Sequence, residues 1–299
     1  MPAKVLISGS SGPIGTAVLS VLRERGDQIT KLVRQPVSQS SEIQWDPLQP
    51  IAPDSVSGFD AVVHLAGESI VGRWNAKKKD AIRNSRVLGT RHLAEALAKA
   101  NQPPSVLVAA SAIGYYGDRG EEILREDSPP GTGFLPEVCR EWEAATGAAS
   151  QAGIRVVHIR IAMVLSPKGG ALEAMVTPFR LGVGGRIGSG KQWMSWIDVR
   201  DLAAAFVYAI ENKSVAGAVN GASPNGVTNA QFTKALAAAL RRPAIFPMPA
   251  FAARLALGEM ADALLLASQH VVPDRLTSSG FRFQYGKLAA SLRANLEKV

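Results

Sequence analysis

The sequence has 299 residues, 46% of them hydrophobic and 19% charged, values that exclude disordered, fibrous and disulfide-scaffold classes. Its single cysteine, Cys139, leaves no partner for an internal disulfide and no cysteine-based zinc site, and fits a reducing compartment. The net charge is +8, but the basic residues are dispersed apart from Lys77-Lys78-Lys79 and no nucleic-acid motif accompanies them, so the expected partner is a small-molecule substrate, with an anionic one suiting the charge, and not nucleic acid.

The first residues run straight into an apolar segment without the core and cleavage site of a secretory signal. The most apolar later stretch, residues 249–267, is interrupted by Arg254, Glu259 and Asp262, whereas a membrane span needs roughly 20 mostly apolar residues. The expectation is a cytoplasmic chain with no membrane association.

In chain order, residues 4–8 read as a strand that ends in glycines. Ile14, Ala17, Val18, Val21 and Leu22 recur at helical spacing up to Gly26. Residues 29–33 read as a second strand and residues 61–66 as a third, continuously apolar as parallel strands covered on both faces are. A helix over 84–100, a strand over 106–110, a helix carrying Val138, Trp142, Ala145 and Ala149 on one face, and a long strand over 155–164 follow. Residues 166–197 are rich in glycine and proline, with Arg186, Lys191, Trp193 and Trp196 among them as candidate walls of a substrate mouth. A helix over 201–210 and a strand over 218–220 return to the sheet, and Thr228 with Gln231 has capping-box spacing for a helix through Leu240. The pattern predicts an α/β chain: a Rossmann-like, doubly wound parallel sheet over 1–165, rejoined by 198–222, and a smaller, loop-rich and helical C-terminal substrate lobe within 166–299.

Gly9-Ser10-Ser11-Gly12-Pro13-Ile14-Gly15 lies between the first strand and the first helix. Glycines there permit a tight turn and bring backbone close to a pyrophosphate at a helix N-terminus, where free N–H groups and the dipole favour anions. Gly9, Ser11, Gly12, Pro13, Ile14 and Gly15 are therefore expected to bind a dinucleotide. The second strand ends in Leu32-Val33-Arg34-Gln35, with no acid for a ribose 2′-hydroxyl; Arg34 suits a 2′-phosphate, which points to NADP(H).

These glycines, the run Val63-His64-Leu65-Ala66-Gly67, the segment Arg86-Val87-Leu88-Gly89-Thr90, and Ser111 followed by Tyr116-Gly117 resemble the extended short-chain dehydrogenases/reductases, the NAD-dependent epimerase/dehydratase family. Ala66-Gly67-Glu68-Ser69-Ile70, Gly114-Tyr115-Tyr116-Gly117, Val138-Cys139-Arg140-Glu141-Trp142, Ser195-Trp196-Ile197 and Gly280-Phe281-Arg282-Phe283 resemble an atypical subgroup of it, epimerase-like proteins of which some are described as cell-division-inhibitor-like. The resemblance implies that Leu65, Ala66, Gly67, Glu68, Arg86, Ala110 and Ser111 line the cofactor, with Asp46 near the adenine and Arg160, Ala162 and Met163 near the nicotinamide. Glu68, just past the third strand, is placed at the crevice by the same fold logic.

The family's catalytic tyrosine and lysine fall, by spacing from Ser111, on Leu135 and Cys139, and its asparagine falls on Arg86. Neither leucine nor a neutral thiol can do the proton work. Ser111, Tyr115, Tyr116 and Arg86 are the candidate catalytic substitutes. Two readings stay open: an NADP(H)-dependent oxidoreductase or epimerase-like enzyme acting on a small carbonyl or hydroxyl substrate, and a non-catalytic NADPH-binding redox sensor or regulator. The four histidines have no metal-ligand spacing, two of them falling inside apolar strands, and no metal is expected.

Overall fold

The computed structural model describes residues 2–167 and 169–296. The apolar run at the N-terminus forms β1 (Lys4–Ser8). Pro13, with φ preset and no N–H to lose, opens α1 (Pro13–Glu24). Then come β2 (Gln28–Val33), a short β3 (Glu42–Gln44) and β4 (Ala61–His64). The next helix, α2 (Ala76–Lys99), starts two turns before the predicted 84: Asn75 accepts from the Lys78 N–H at 2.8 Å, and this cap, not apolar periodicity, begins it.

After β5 (Val106–Ala112) and the two-residue β6 (Ile123–Leu124), the helix predicted through Ala149 is two helices, α3 (Phe134–Ala144) and α4 (Gly147–Gln151). They part at Thr146, whose hydroxyl is spent on the Glu143 carbonyl and on His158. The long strand predicted over 155–164 also divides, into β7 (Arg155–Ile161) and β8 (Met163–Leu165), and the Ala162 N–H turns to Gly221. There the chain leaves the sheet for the second lobe.

The glycine-rich stretch expected as loop contains α5 (Ala171–Arg180), followed by β9 (Trp193–Met194) and β10 (Trp196–Asp198). Next are α6 (Val199–Glu211), β11 (Gly217–Gly221), β12 (Val227–Thr228) and α7 (Asn229–Leu240), which carries the full capping box of Thr228 and Gln231. The chain ends with α8 (Ala250–Leu257), β13 (His270–Val271), α9 (Asp274–Ser278) and α10 (Leu288–Leu296). No helix of the described residues is long and apolar enough to cross a membrane.

Seven strands form one parallel sheet in the order β11-β7-β5-β4-β1-β2-β3. The chain winds outward from β1 to β3, then returns to β4 and winds the other way, so the switch point lies between β1 and β4. Both faces are apolar because successive strand residues point to opposite sides. Val5, Ile7, Val63, Val108 and Ile159 face α1 and α6 with Val18, Leu22, Leu202 and Phe206. Leu6, Val62, Leu107 and Ala109 face the other way, with Leu93, Leu97 and Ala149 of α2 and α4. A second core, around Trp196, Phe232, Leu236 and Leu292, builds the C-terminal lobe. Asp198, fully buried, fastens that lobe: it caps α6 and accepts from Arg200, Ser291 and Asn295.

Candidate functional site

At the switch point the loop after β1 is held by two glycines. Gly9 has φ +69°, and a Cβ there would stand 2.6 Å from the Leu65 carbonyl carbon; one on Gly15 would stand 2.2 Å from the Gly9 oxygen. Gly12 differs: a Cβ would meet only the Gly9 oxygen, at an ordinary 3.6 Å. The protein itself therefore does not require glycine at 12, and the open space above it suits the close approach of a pyrophosphate. Gly12 is also the N-cap of α1 and no side chain caps the helix, which leaves first-turn N–H groups for an anion. This cradle fits a dinucleotide.

Leu65 and Ala66 form the facing wall with their backbone, although both N–H groups are committed to Ser8 Oγ. Arg34 is exposed at the end of β2 and in no salt bridge among the described residues. Asp46 is exposed and caps its own turn through the Leu48 N–H at 3.0 Å. Glu68 binds Lys78 Nζ at 2.7 Å. Its carboxyl is held below the usual range, first by that bond against the pull of burial, then by the charges of Lys78, Arg34 and Arg86. Arg86 comes off α2 beside Gly67, and burial lowers its guanidinium pKa.

Under the crevice, strand alternation brings polar residues to one face. Ser8, His64, Ser111 and Arg160 lie on the same side as Leu6, Val62, Leu107 and Ala109, toward α2 and α3. Ser8 Oγ accepts from the N–H groups of Leu65 and Ala66, so its own proton goes to His64 Nδ1 at 2.7 Å. That assigns the other imidazole proton to Nε2, which donates to Thr90 Oγ1 at 3.0 Å; Trp142 Nε1 donates to the same oxygen. Burial pushes His64 down to about 4.

The sign follows from linkage. Native His64 stays neutral while the unfolded chain takes up a proton below about 6.5, so stability is full above that pH and declines as pH falls toward 4. Acidification through this window is expected to cost about 3 kcal/mol through His64. Urea titrations of the wild type and His64→Gln between pH 7 and 4 check it: the variant should lose this part of the pH dependence, and equal slopes would contradict it.

Ser111 and Tyr116 depart from the sequence expectation. Ser111 is 1% exposed and donates to Glu143 Oε1 at 2.7 Å. Tyr116 is fully buried, donates to Asn220 Oδ1 at 2.7 Å and accepts from Arg160 at 3.0 Å, and burial pushes it up to about 12. Both hydroxyls are bonded within the protein. Alternation along β5 turned Ser111 toward α3, and Tyr116 plugs the core beside Ala162 and Val271.

Arg160 is likewise engaged within the protein. It forms a two-point ion pair with Glu143 at 2.8 and 2.9 Å, and Nη1 reaches Tyr116 and the Glu126 carbonyl. Burial pushes the Glu143 carboxyl up, but the bonds and charge of Arg160 together with Ser111 outweigh it and hold it below the usual range. Sequence reasoning missed Glu143. The signal available was a strand arginine with no partner and a carboxylate four residues after Cys139, on the same face of α3. Ala110 packs into the core facing α6, Ala162 is buried beside Tyr116, and Met163 packs against the second core.

Tyr115 is the remaining candidate hydroxyl. Its ring centre lies 3.5 Å from the Arg160 guanidinium carbon, it is half-buried, and no hydrogen bond from the described residues engages its hydroxyl. Leu135 and Cys139 pack against Gly114 just past β5. Burial pushes the Cys139 thiol up to about 12, so it is inert as a base. Trp74 and Phe134 meet edge to face at 5.4 Å, with Lys79 over Phe134 and paired to Glu259.

Trp193 stacks on His270 at 3.8 Å, and Trp196 is core. Lys191 is exposed. Arg186 instead lines a separate cleft of about 370 Å³ with Lys234 and Arg242 against α7. Among the described residues no group of three His, Cys, Asp or Glu could hold a metal ion.

Residues 5–221 match the model of the NAD dependent epimerase/dehydratase family, and residues 248–294 match a domain of unknown function, DUF1731. The chain is 40% identical to epimerase family protein Mb2239 of Mycobacterium bovis, over 97% of this chain and 96% of that one. It superposes on the crystal structure of human epimerase family protein SDR39U1 (isoform 2) with NADPH, with a TM-score of 0.92, 36% identity, and coverage of 99% of this chain and 100% of that one. Thermus thermophilus UDP-glucose 4-epimerase, solved with NAD, shares the fold at a TM-score of 0.76 and 20% identity, over 98% of each chain. This chain therefore belongs to the NAD dependent epimerase/dehydratase family.

Proposed function

We propose that the protein binds NADP(H) across the β1/β4 switch point and exchanges hydride between it and a small carbonyl- or hydroxyl-bearing substrate. The observation that carries the binding is the open cradle at Gly12, joined to Arg34 at the end of β2 where no acid stands. Arg34 is placed to pair a 2′-phosphate, a contact NADH cannot make. The human relative of 36% identity was solved with NADPH, which supports the choice of cofactor. When bound, NADPH supplies the hydride. Tyr115 is the group assigned to give the substrate oxygen its proton, because the hydroxyls of Ser111 and Tyr116 are committed within the protein.

A second reading, a non-catalytic NADPH-binding sensor, is favoured by the same commitment and by Leu135 and Cys139 at the crevice. Two measurements separate these readings. Calorimetric titration should show NADPH preferred over NADH, with Arg34→Ala weakening NADPH about tenfold and leaving NADH unchanged. Reduced-nicotinamide absorbance, followed while pooled carbonyl compounds and nucleotide sugars are added, should fall with wild type and persist with Tyr115→Phe. Tight binding without oxidation would move the assignment to the sensor, and no NADPH binding would remove both readings.

A further inference from the structure

Outside the crevice, the trough beside α7 gathers three cations and no acid. Arg186, Lys234 and Arg242 line it, and neither Asp nor Glu stands among the described residues of its walls. Those walls follow from the path of the chain. Ala230, Thr233, Lys234 and Ala237 recur at i, i+3, i+4 and i+7, so they share one face of α7. At Arg241 the backbone takes the left-handed conformation, φ +53°, and the chain turns back. Residues 243–247 then run beside the helix until the Met248 N–H donates to the Arg186 carbonyl at 2.8 Å. The volume between, about 370 Å³, lies within the range of small-molecule sites, about 300–1,000 Å³.

Among the described residues no ion pair uses these three charges, and the one side-chain bond they make runs from Arg186 Nη1 to the Ser189 carbonyl at 2.7 Å. Nor is the Arg242 side chain needed as a helix cap. The Ala237 and Ala238 carbonyls already accept from the backbone N–H groups of Arg242 and Arg241. Thr233 is a second, independent observation. It is 7% exposed and lines the trough, yet its hydroxyl has no partner among the described residues. A hydroxyl buried this far is ordinarily hydrogen-bonded, and here it opens on the space the cations surround. Pro243, Ile245 and Pro247 make the facing wall apolar and stiff. We infer that this trough binds a small phosphate monoester with a flat apolar group: its oxygens take the cations and the Thr233 hydroxyl, and its organic part lies along the prolines. The site shares no lining residue with the Gly12 cradle and does not rest on the NADP(H) reading.

Phenyl phosphate is the probe, because it carries the doubly charged group and the flat ring and nothing else of a dinucleotide. It is titrated calorimetrically into protein held in excess NADPH, so that the cradle is not offered to it. Phenyl phosphate should bind about tenfold more tightly than benzoate, which has the ring but a single charge, and phenol should not bind. Lys234→Gln and Arg242→Gln should each weaken phenyl phosphate by about tenfold. Both side chains are exposed, so the melting temperatures of these variants should match wild type. Thr233→Val should weaken binding as well, and Thr233→Ser should retain it. Phenyl phosphate that binds the two charge variants as it binds wild type sits elsewhere, and overturns the inference. Benzoate as tight as phenyl phosphate overturns it too, as does wild type that binds neither. Failure of NADPH to bind would count against the earlier reading alone, since the Lys234 and Arg242 variants still locate the phenyl phosphate.

Discussion

Replacing Glu143 with alanine is expected to destabilise the protein by about 3–5 kcal/mol, the range for stripping one partner from a buried ion pair. The cost comes less from the lost attraction than from what is left behind. Arg160 is 4% exposed, and without Glu143 two of its nitrogens face no acceptor among the described residues, while the hydroxyl of Ser111, at 1% exposure, loses its acceptor. Exchanging both members, as Glu143→Leu with Arg160→Met, should cost less than the single change, because no orphaned charge remains. Urea midpoints of the two variants decide it; a single change costing under about 1 kcal/mol would show that water reaches Arg160. The pH dependence has a definite sign. Glu143 titrates below the ordinary carboxylate value in the folded protein, so its contribution is present above the unfolded-state pKa and is lost as pH falls through the folded one. Glu143→Gln should therefore flatten the acid limb of the stability curve.

The sheet was legible in the sequence because buried parallel strands are short, apolar and punctuated by glycine, and because the Thr228 capping box declares its helix locally. The glycine loop was legible for the same reason: its function depends on backbone and a few adjacent residues. What escaped was set by partners far along the chain. Tyr116 is spent on Asn220, 104 residues away, and Ser111 on Glu143, 32 residues away. Spacing to the family motif put both at the crevice, whereas the side on which each strand residue projects is a property of register. Alternation did carry that information for Ser111, which shares the face of Leu107 and Ala109. The early start of α2 at a charged segment behind Asn75 escaped because hydrophobic periodicity reads the packed part of a helix and misses its exposed first turns. Helix α5 was hidden by the glycines on either side of it.

Alanine at Gly15 and at Gly12 should weaken NADPH binding for different reasons, the first through stability and the second without it, although the residues are three apart in one loop. At Gly15 the new methyl would sit 2.2 Å from the Gly9 oxygen and 2.7 Å from the Ser10 Cα, both backbone atoms. Gly9 cannot yield, because it is pressed against the Leu65 carbonyl at the end of β4. Overpacking against fixed backbone costs about 1–3 kcal/mol or more, and here the first turn of α1 must leave its place. Gly15→Ala should therefore lower the melting temperature by several degrees and abolish NADPH binding with it. At Gly12 the methyl finds 3.6 Å to its nearest neighbour, and φ is an ordinary −75°, so the protein should keep its stability within about 0.5 kcal/mol. The methyl would instead occupy the space assigned to the pyrophosphate, and NADPH affinity should fall by about ten- to a hundredfold. Melting curves and calorimetric titrations of the two variants side by side test both halves. Gly12→Ala that binds NADPH as wild type does would remove the pyrophosphate from this loop. Gly12→Ala that melts early would show that the open space is needed by the protein and not by a ligand.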